Sequence, residues 1–365
     1  MMAQRKFTIL CIQFIIIFLL LGCSDPEGKF YTLADFESVE KIDTHVHINT
    51  NHSALPEEAE KNSFRIITVN VGSPSYPHIR EQQEIARNLK RQFPERVEYL
   101  TTIPMEDWNN PAIWQNNVTS YLDESFQNGA LGVKVWKNIG MDFKNDDGEF
   151  MMIDNPQFDP VINYIQERNK PLLGHIGEPY SCWLPLEEME VRFIRNYYEN
   201  NPQYHMHLHP ENPSYEEIIE TRNNMLDKHL NLSFVGAHLG SMAWSLDMMS
   251  EHLEKYPNMV FDMAHRITLL QHLTQKDRKA VRNFFIKYQN RFVYSTDLQH
   301  HANSDPDAIR ELANNTWRQD WEYFVTDNEM VNTEVNDTSF RGLKLPKEVV
   351  DKVYRLNAEK AYPGI

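Results

Sequence analysis

The stretch Asp43-Thr44-His45-Val46-His47 places two imidazoles one residue apart. In an extended strand alternate side chains share a face, so Asp43, His45 and His47 are expected to point the same way. Imidazole nitrogen and carboxylate oxygen are ligands for Zn2+ and similar divalent ions, and a catalytic site keeps one position for water. An H-x-H pair alone is a weak signal. Four later segments add to it: Gly132-Val133-Lys134, Gly174-His175, Gly236-Ala237-His238 and Ser295-Thr296-Asp297, each at the end of a short apolar run. Three histidines and one aspartate brought to one place would make a metal site. His238 reads either as a further ligand or as a general base.

The elements that must deliver these residues are short β-rich runs. Strands are expected near 41–48, 65–71, 97–103, 131–136, 171–176, 232–239, 259–263 and 291–296, each apolar or β-branched with turn residues nearby. Helical spacing fills the gaps: Ile79, Ile85, Leu89 and Phe93, then Ile113, Trp114, Val118, Tyr121, Leu122 and Phe126. Eight successive βα units favour a (β/α)8 TIM barrel, whose reactive groups come from the C-terminal ends of its strands. A doubly wound open sheet is the alternative, but no glycine-rich phosphate loop follows any strand. The longest connection, 177–231, holds an expected extra helix over 187–198 and the segment His205-Met206-His207-Leu208-His209.

With these motifs the chain resembles the amidohydrolase superfamily, in particular its amidohydrolase-related branch of metal-dependent hydrolases and aminocarboxymuconate-semialdehyde-decarboxylase-like enzymes. The markers are IDTHVH, GVKVW, LLGHIGEP, FVGAHLGS, YSTD and LNAEKAYPG, spread from about Lys41 to Gly364. The resemblance implies an α/β fold, a distorted (β/α)8 TIM barrel of the metal-dependent hydrolase type. It also implies one divalent ion, zinc in the first place, held by His45, His47, His175 and Asp297. Asp297 and His238 would be the catalytic residues, the first accepting a proton from water and the second polarising water or substrate. Lys134 stands where binuclear relatives carry a carboxylated lysine, so a second metal would require that modification; pairing with Asp43 or Asp297, or substrate binding, is favoured instead. Lys134, Trp136, Glu178 and Arg266 are the substrate-binding candidates, with Trp183 a further wall residue. The 205–209 histidines read as a loop over the barrel mouth, with a second metal as the lesser alternative. His300 and His301 are expected to face solvent.

Three functions compete. A metal-dependent hydrolase would act on an amide, ester or lactone, the ion lowering the pKa of water toward ~7 and polarising the carbonyl. A non-oxidative decarboxylase of a small carboxylate would use the same ligands with Lys134 and Arg266 as anchors. A lipid-anchored binding protein without chemistry ranks last, because every expected ligand type is present.

The address lies at the N-terminus. Arg5 and Lys6 precede the apolar run Phe7 to Leu21, which ends in Leu20-Leu21-Gly22-Cys23. This is the pattern of a secretory signal, too short for a spanning helix of ~20 residues, and its ending resembles a bacterial lipobox. Residues 1–22 are therefore expected to be a lipoprotein signal peptide, 23–37 a linker, and 38–365 one amidohydrolase-related TIM-barrel domain. Lipidated Cys23 would anchor the chain in the bacterial cell envelope, at the outer membrane or surface rather than the inner membrane. Cleavage takes the net charge of −16 to −18 through loss of Arg5 and Lys6, which argues against nucleic-acid binding. Cys182 would be the one remaining thiol outside signal and anchor, unable to form an internal disulfide. A small-molecule substrate is the expected partner, and a homo-oligomer is left open.

Overall fold

The structure, a computed structural model, describes residues 29–365. The signal segment and Cys23 lie outside the described residues. Of the segment read as linker, the part from Lys29 packs on the domain: Phe36 is buried against Phe64 and Trp321, and Trp321 Nε1 donates to Thr32 O at 3.0 Å. Among the described residues no helix is long and apolar enough to cross a membrane.

Eight strands fall where the apolar runs placed them: β1 (Lys41–Asn49), β2 (Phe64–Val69), β3 (Val97–Thr102), β4 (Val133–Val135), β5 (Leu172–Gly174), β6 (Phe234–Gly236), β7 (Met259–Asp262) and β8 (Phe292–Val293). A ninth, β9 (Gln299–His301), follows at once. The sheet runs β8-β7-β6-β5-β4-β3-β2-β1-β9, every neighbouring pair parallel. It is thus a curled, TIM-barrel-like sheet rather than a fully closed ladder. The chain after β8 nevertheless turns back along β1: Thr44 N–H donates to Tyr294 O at 3.0 Å, Asp297 N–H to His45 O at 2.8 Å and His47 N–H to Leu298 O at 2.8 Å.

Ile42, Ile67, Leu100, Leu173, Val235 and Val293, one from each of six strands, pack inside the curl with Ala358 and Tyr362 of the C-terminal segment. The interior is filled rather than open, as in a barrel core. Outside it, the helices Ile79–Gln92, Pro111–Gln127, Tyr215–Lys228, Ile267–Lys287 and Pro306–Val325 cover the strands. Their stripes are the expected ones, except that Ile113 is exposed while Trp114 is fully buried. The extra helix in the long connection spans Arg192–Asn200 and begins later than expected, after a 3-10 turn at Leu186–Glu188.

One register irregularity matters for the site. β1 pairs Asp43 with Ile66 but Val46 with Thr68, so β1 carries one extra residue there. Such a bulge reverses the alternation on its far side. Ile42 faces the interior, and so do His45 and His47, whereas Asp43 turns to the helical layer. There its carboxylate accepts from Trp317 Nε1 at 3.0 Å and from Thr296 Oγ1 at 2.6 Å. The expectation that Asp43 shares the histidines' face is corrected by this bulge. Burial pushes the Asp43 carboxyl up to about 7, against the pull of its hydrogen bonds.

Candidate active site

The ends of β1 and of the segment after β8 bring His45, His47 and Asp297 together, with one ligand atom from each lying within 4.8 Å of the others. Each histidine is oriented from behind. His45 Nδ1 meets Asp262 Oδ2 at 2.7 Å, and His47 Nδ1 meets Val69 O at 2.8 Å. Both partners are acceptors, so both rings carry a proton on Nδ1 and, as neutral imidazoles, turn the Nε2 lone pair toward Asp297, that of His45 being reached also by Lys134 Nζ at 3.3 Å. Asp297 Oδ1 lies 3.1 Å from His47 Nε2 and 3.5 Å from His45 Nε2, and no hydrogen-bond donor reaches it. In a tetrahedral site with bonds of ~2.0 Å, ligand atoms stand about 3.3 Å apart. Two lone pairs and an orphaned carboxylate oxygen at these separations fit a divalent ion, and the carboxylate and carbonyl behind the imidazoles are the usual outer partners of metal-bound histidine.

His175 and His238 form a second pair beside this cluster. His238 Nδ1 donates to Ala264 O at 2.8 Å, and its Nε2 stands 3.1 Å from His175 Nδ1. Burial holds both imidazoles well below their usual pKa, so both are neutral. His238 Nε2 is then an acceptor, His175 Nδ1 carries the proton, and His175 Nε2 is left bare; it is buried without a hydrogen-bond partner, 3.8 Å from Glu178 Oε1. The structure therefore brings His45, His47 and Asp297 into one ligand group, with His175 adjacent and engaged with His238. As an acceptor His238 Nε2 suits a base; stabilising an oxyanion would first require it to gain a proton.

The backbone here is unusual. His238, His265 and Asp297 have φ of 58°, 51° and 67°, in the left-handed region that non-glycine residues rarely adopt. β6 ends at Gly236, so His238 sits not on the strand but in a left-handed turn that continues through Ser241. Such outliers persist only where surrounding contacts hold them.

A cavity of about 480 Å³ opens above these groups. Its walls include Trp136, Glu178 and Arg266, as expected, together with Tyr76, Tyr197 and Tyr204. Glu178 is tied to two cations, pairing with Lys137 Nζ and with Arg266 Nη2 at 3.1 Å. Burial would lower the Lys137 pKa, but the Glu178 carboxylate outweighs it and holds the ammonium charged. Lys134 does not line this cavity. It lies fully buried beneath it, Nζ 3.3 Å from His45 Nε2, and burial lowers it to about 8 against the pull of Asp262 and Asp297. It pairs with neither Asp43 nor Asp297 directly. Asp297 itself is pushed up by burial, yet the imidazoles around it, His45 first and then His265 and His47, hold it well below the usual carboxylate range.

Other expectations are corrected. Trp183 is absent from the cavity wall and donates to Pro213 O instead. The 205–209 segment is a loop, as expected, lying in and after two 3-10 turns, with His205 buried and bonded to Leu184 O while His207 is exposed. His300 is buried rather than solvent-facing, because β9 adds to β1 and sets it beside Ile48 on the helical side. Cys182 is buried, its thiol raised to about 12 by burial, which suits an inert residue. Sequence reasoning missed Asp262, His265, Lys137 and the tyrosines. Asp262 ends β7, and applying the strand-end rule to that strand would have found it.

The profile of the amidohydrolase family matches residues 42–364. The chain belongs to the amidohydrolase family. No curated protein matches this amidohydrolase significantly. Among solved structures it is similar to a 2,6-dihydroxybenzoate decarboxylase from Rhizobium, at 14% identity and TM-score 0.48 over 88% of this chain and 98% of that one. A structure described as a 2-pyrone-4,6-dicarboxylic acid hydrolase from Pseudomonas putida gives 12%, 0.50, 88% and 97%. A dihydroxybenzoic acid decarboxylase from Polaromonas, with bound manganese and 2-nitroresorcinol, gives 12%, 0.44, 88% and 96%. At these identities the likeness speaks to fold alone.

Proposed function

We propose that the protein is a metal-dependent hydrolase acting on an amide, ester or lactone of a small substrate. The observation that carries this reading is the convergence of His45 Nε2, His47 Nε2 and Asp297 Oδ1, with both Nδ1 atoms held from behind. His45, His47 and Asp297 would hold the ion, zinc in the first place, with His175 Nε2 as the fourth donor. When bound, a divalent ion supplies Lewis-acid polarisation of a carbonyl and a nucleophilic water at neutral pH. Asp297, whose Oδ2 lies 3.3 Å from His265 Nδ1, would accept the proton taken from water. The lone pair of neutral His238 Nε2, at the cavity floor, is taken up by His175 Nδ1–H, so His238 would serve as general base once that bond is given up. The tyrosines and Trp136 give the substrate an aromatic wall, and Glu178 fixes the cations so that they do not collapse into the site.

Decarboxylation of a small carboxylate is the second reading. It is favoured by the Lys137–Glu178–Arg266 triad, which carries one surplus positive charge and a buried Arg266 Nε without a partner. Against it, Lys134 does not line the cavity, and both cations are already engaged by Glu178. The zinc-loaded protein should hydrolyse members of a panel of p-nitrophenyl esters, lactones and dipeptides. CO2 release from aromatic acids with no hydrolysis would replace this reading by the second. On sequence grounds alone we place the enzyme in the bacterial envelope, anchored through Cys23.

A further inference from the structure

Asp262 is fully buried at the end of β7 and uses both carboxylate oxygens. Oδ2 accepts from His45 Nδ1 at 2.7 Å, across 217 residues of sequence. Oδ1 accepts from two backbone N–H groups, His238 at 2.6 Å and Ala264 at 3.2 Å. The carbonyl of Ala264 in turn accepts from His238 Nδ1 at 2.8 Å, so the same peptide segment holds the His238 ring. His238, Leu239, Gly240 and Ser241 all have φ between 56° and 62°. Left-handed conformation costs roughly 1–2 kcal/mol for each non-glycine residue, and bonds from a charged acceptor to buried N–H groups are the kind that offset it.

We propose that Asp262 is a positioning residue that sets the tautomer of His45 and holds the His238 turn at the same time. The proposal rests on the metal-site reading for its consequence: ion retention and the placement of His238 depend on one carboxylate. His47 has no equivalent side chain, because a main-chain carbonyl orients it.

The substitution Asp262→Asn separates the two tasks by polarity. An amide keeps one acceptor and turns the other oxygen into a donor. If its oxygen stays with the two N–H groups, its NH2 faces His45 Nδ1, which must then accept. The His45 proton moves to Nε2, where it meets the Lys134 ammonium at 3.3 Å as well as Asp297, and the lone pair needed there is lost. If the amide flips, donor meets donor at His238 and Ala264, and the turn is lost. Neither orientation satisfies both.

The test uses the full chain. Zinc affinity is measured by competition with a chelator for the wild type, Asp262→Asn and Asp320→Asn. Asp320 is a second buried carboxylate, accepting from the Tyr294 hydroxyl at 2.8 Å. Asp262→Asn should bind zinc about 10–100-fold more weakly, the usual cost of losing an outer partner of a metal histidine. Asp320→Asn should keep the wild-type affinity. Long-range 1H–15N spectra of histidine-labelled, metal-free protein, with His45→Asn to assign the signal, should show His45 protonated on Nδ1 in the wild type and on Nε2 in Asp262→Asn. Wild-type affinity and tautomer in Asp262→Asn would overturn the proposal. Should that variant not fold, the wild-type spectrum decides: Nε2–H at His45 overturns the proposal and Nδ1–H supports it. A wild type that binds no divalent ion, yet shows Nδ1–H, would overturn the metal reading and leave the orienting role of Asp262 standing.

Discussion

Replacing His238 by asparagine separates the base from the ligands. Asparagine tolerates the left-handed region better than other non-glycine residues, so the backbone at φ 58° should survive. The variant loses the Nδ1–H bond to Ala264 O and leaves His175 Nδ1 without its acceptor. An unsatisfied buried donor costs about 1–3 kcal/mol, which a barrel domain of this size can bear. His238 lies outside the group formed by His45, His47 and Asp297, so zinc should be retained. A positioned general base contributes 10²–10⁴-fold, equivalent to about 2.7–5.4 kcal/mol of barrier, and the rate should fall by that factor. His45→Asn should instead lose ion and activity together. The assay is metal content by mass spectrometry after dialysis, with turnover of one hydrolysed ester or lactone, on both variants. A metal-free His238→Asn would make His238 a ligand; full activity with full metal would reduce it to a packing residue. Either result refutes the base assignment.

Acid should destabilise the fold through His300 and His252, which burial lowers to about 4. Both sit below the unfolded value of ~6.5, so the stability they allow is complete above pH ~6.5 and is lost as pH falls toward 4. For fully buried His300 the loss is up to about 3 kcal/mol, seen as a falling urea midpoint; His300→Leu should flatten that fall, and an unchanged slope would sink the explanation. Gly174→Ala would place a Cβ 2.5 Å from the Phe234 ring, just before His175. Overpacking of this kind typically costs 1–3 kcal/mol, so a wild-type denaturation midpoint would contradict the packing described. Mass spectrometry of membrane-extracted protein should find residue 23 as a lipidated N-terminal cysteine; an unmodified peptide spanning Gly22–Cys23 would defeat the lipobox reading.

Eight strand positions were legible in the sequence because buried parallel strands are short apolar runs. The inward direction of His45 and His47 was legible for the same reason: a period of two is local. Strand-end chemistry at Asp297 followed from the topology that eight βα units impose. Asp43 shows where local reasoning stops. One extra residue in β1 turns it outward, and that bulge is visible only in the pairing with β2. His300 was misplaced because its burial depends on β9 adding to β1. Glu178 was seen as a wall residue, but its two ion pairs reach Lys137 and Arg266, 41 and 88 residues away. Asp262 had no signal beyond its position at a strand end, since its partners come from β1 and from the turn after β6. Residue types and periodicity therefore determine which groups are offered to the barrel mouth. Which lone pair or proton each one presents there is decided by hydrogen bonds between distant strands, and only the folded chain brings those donors and acceptors within reach.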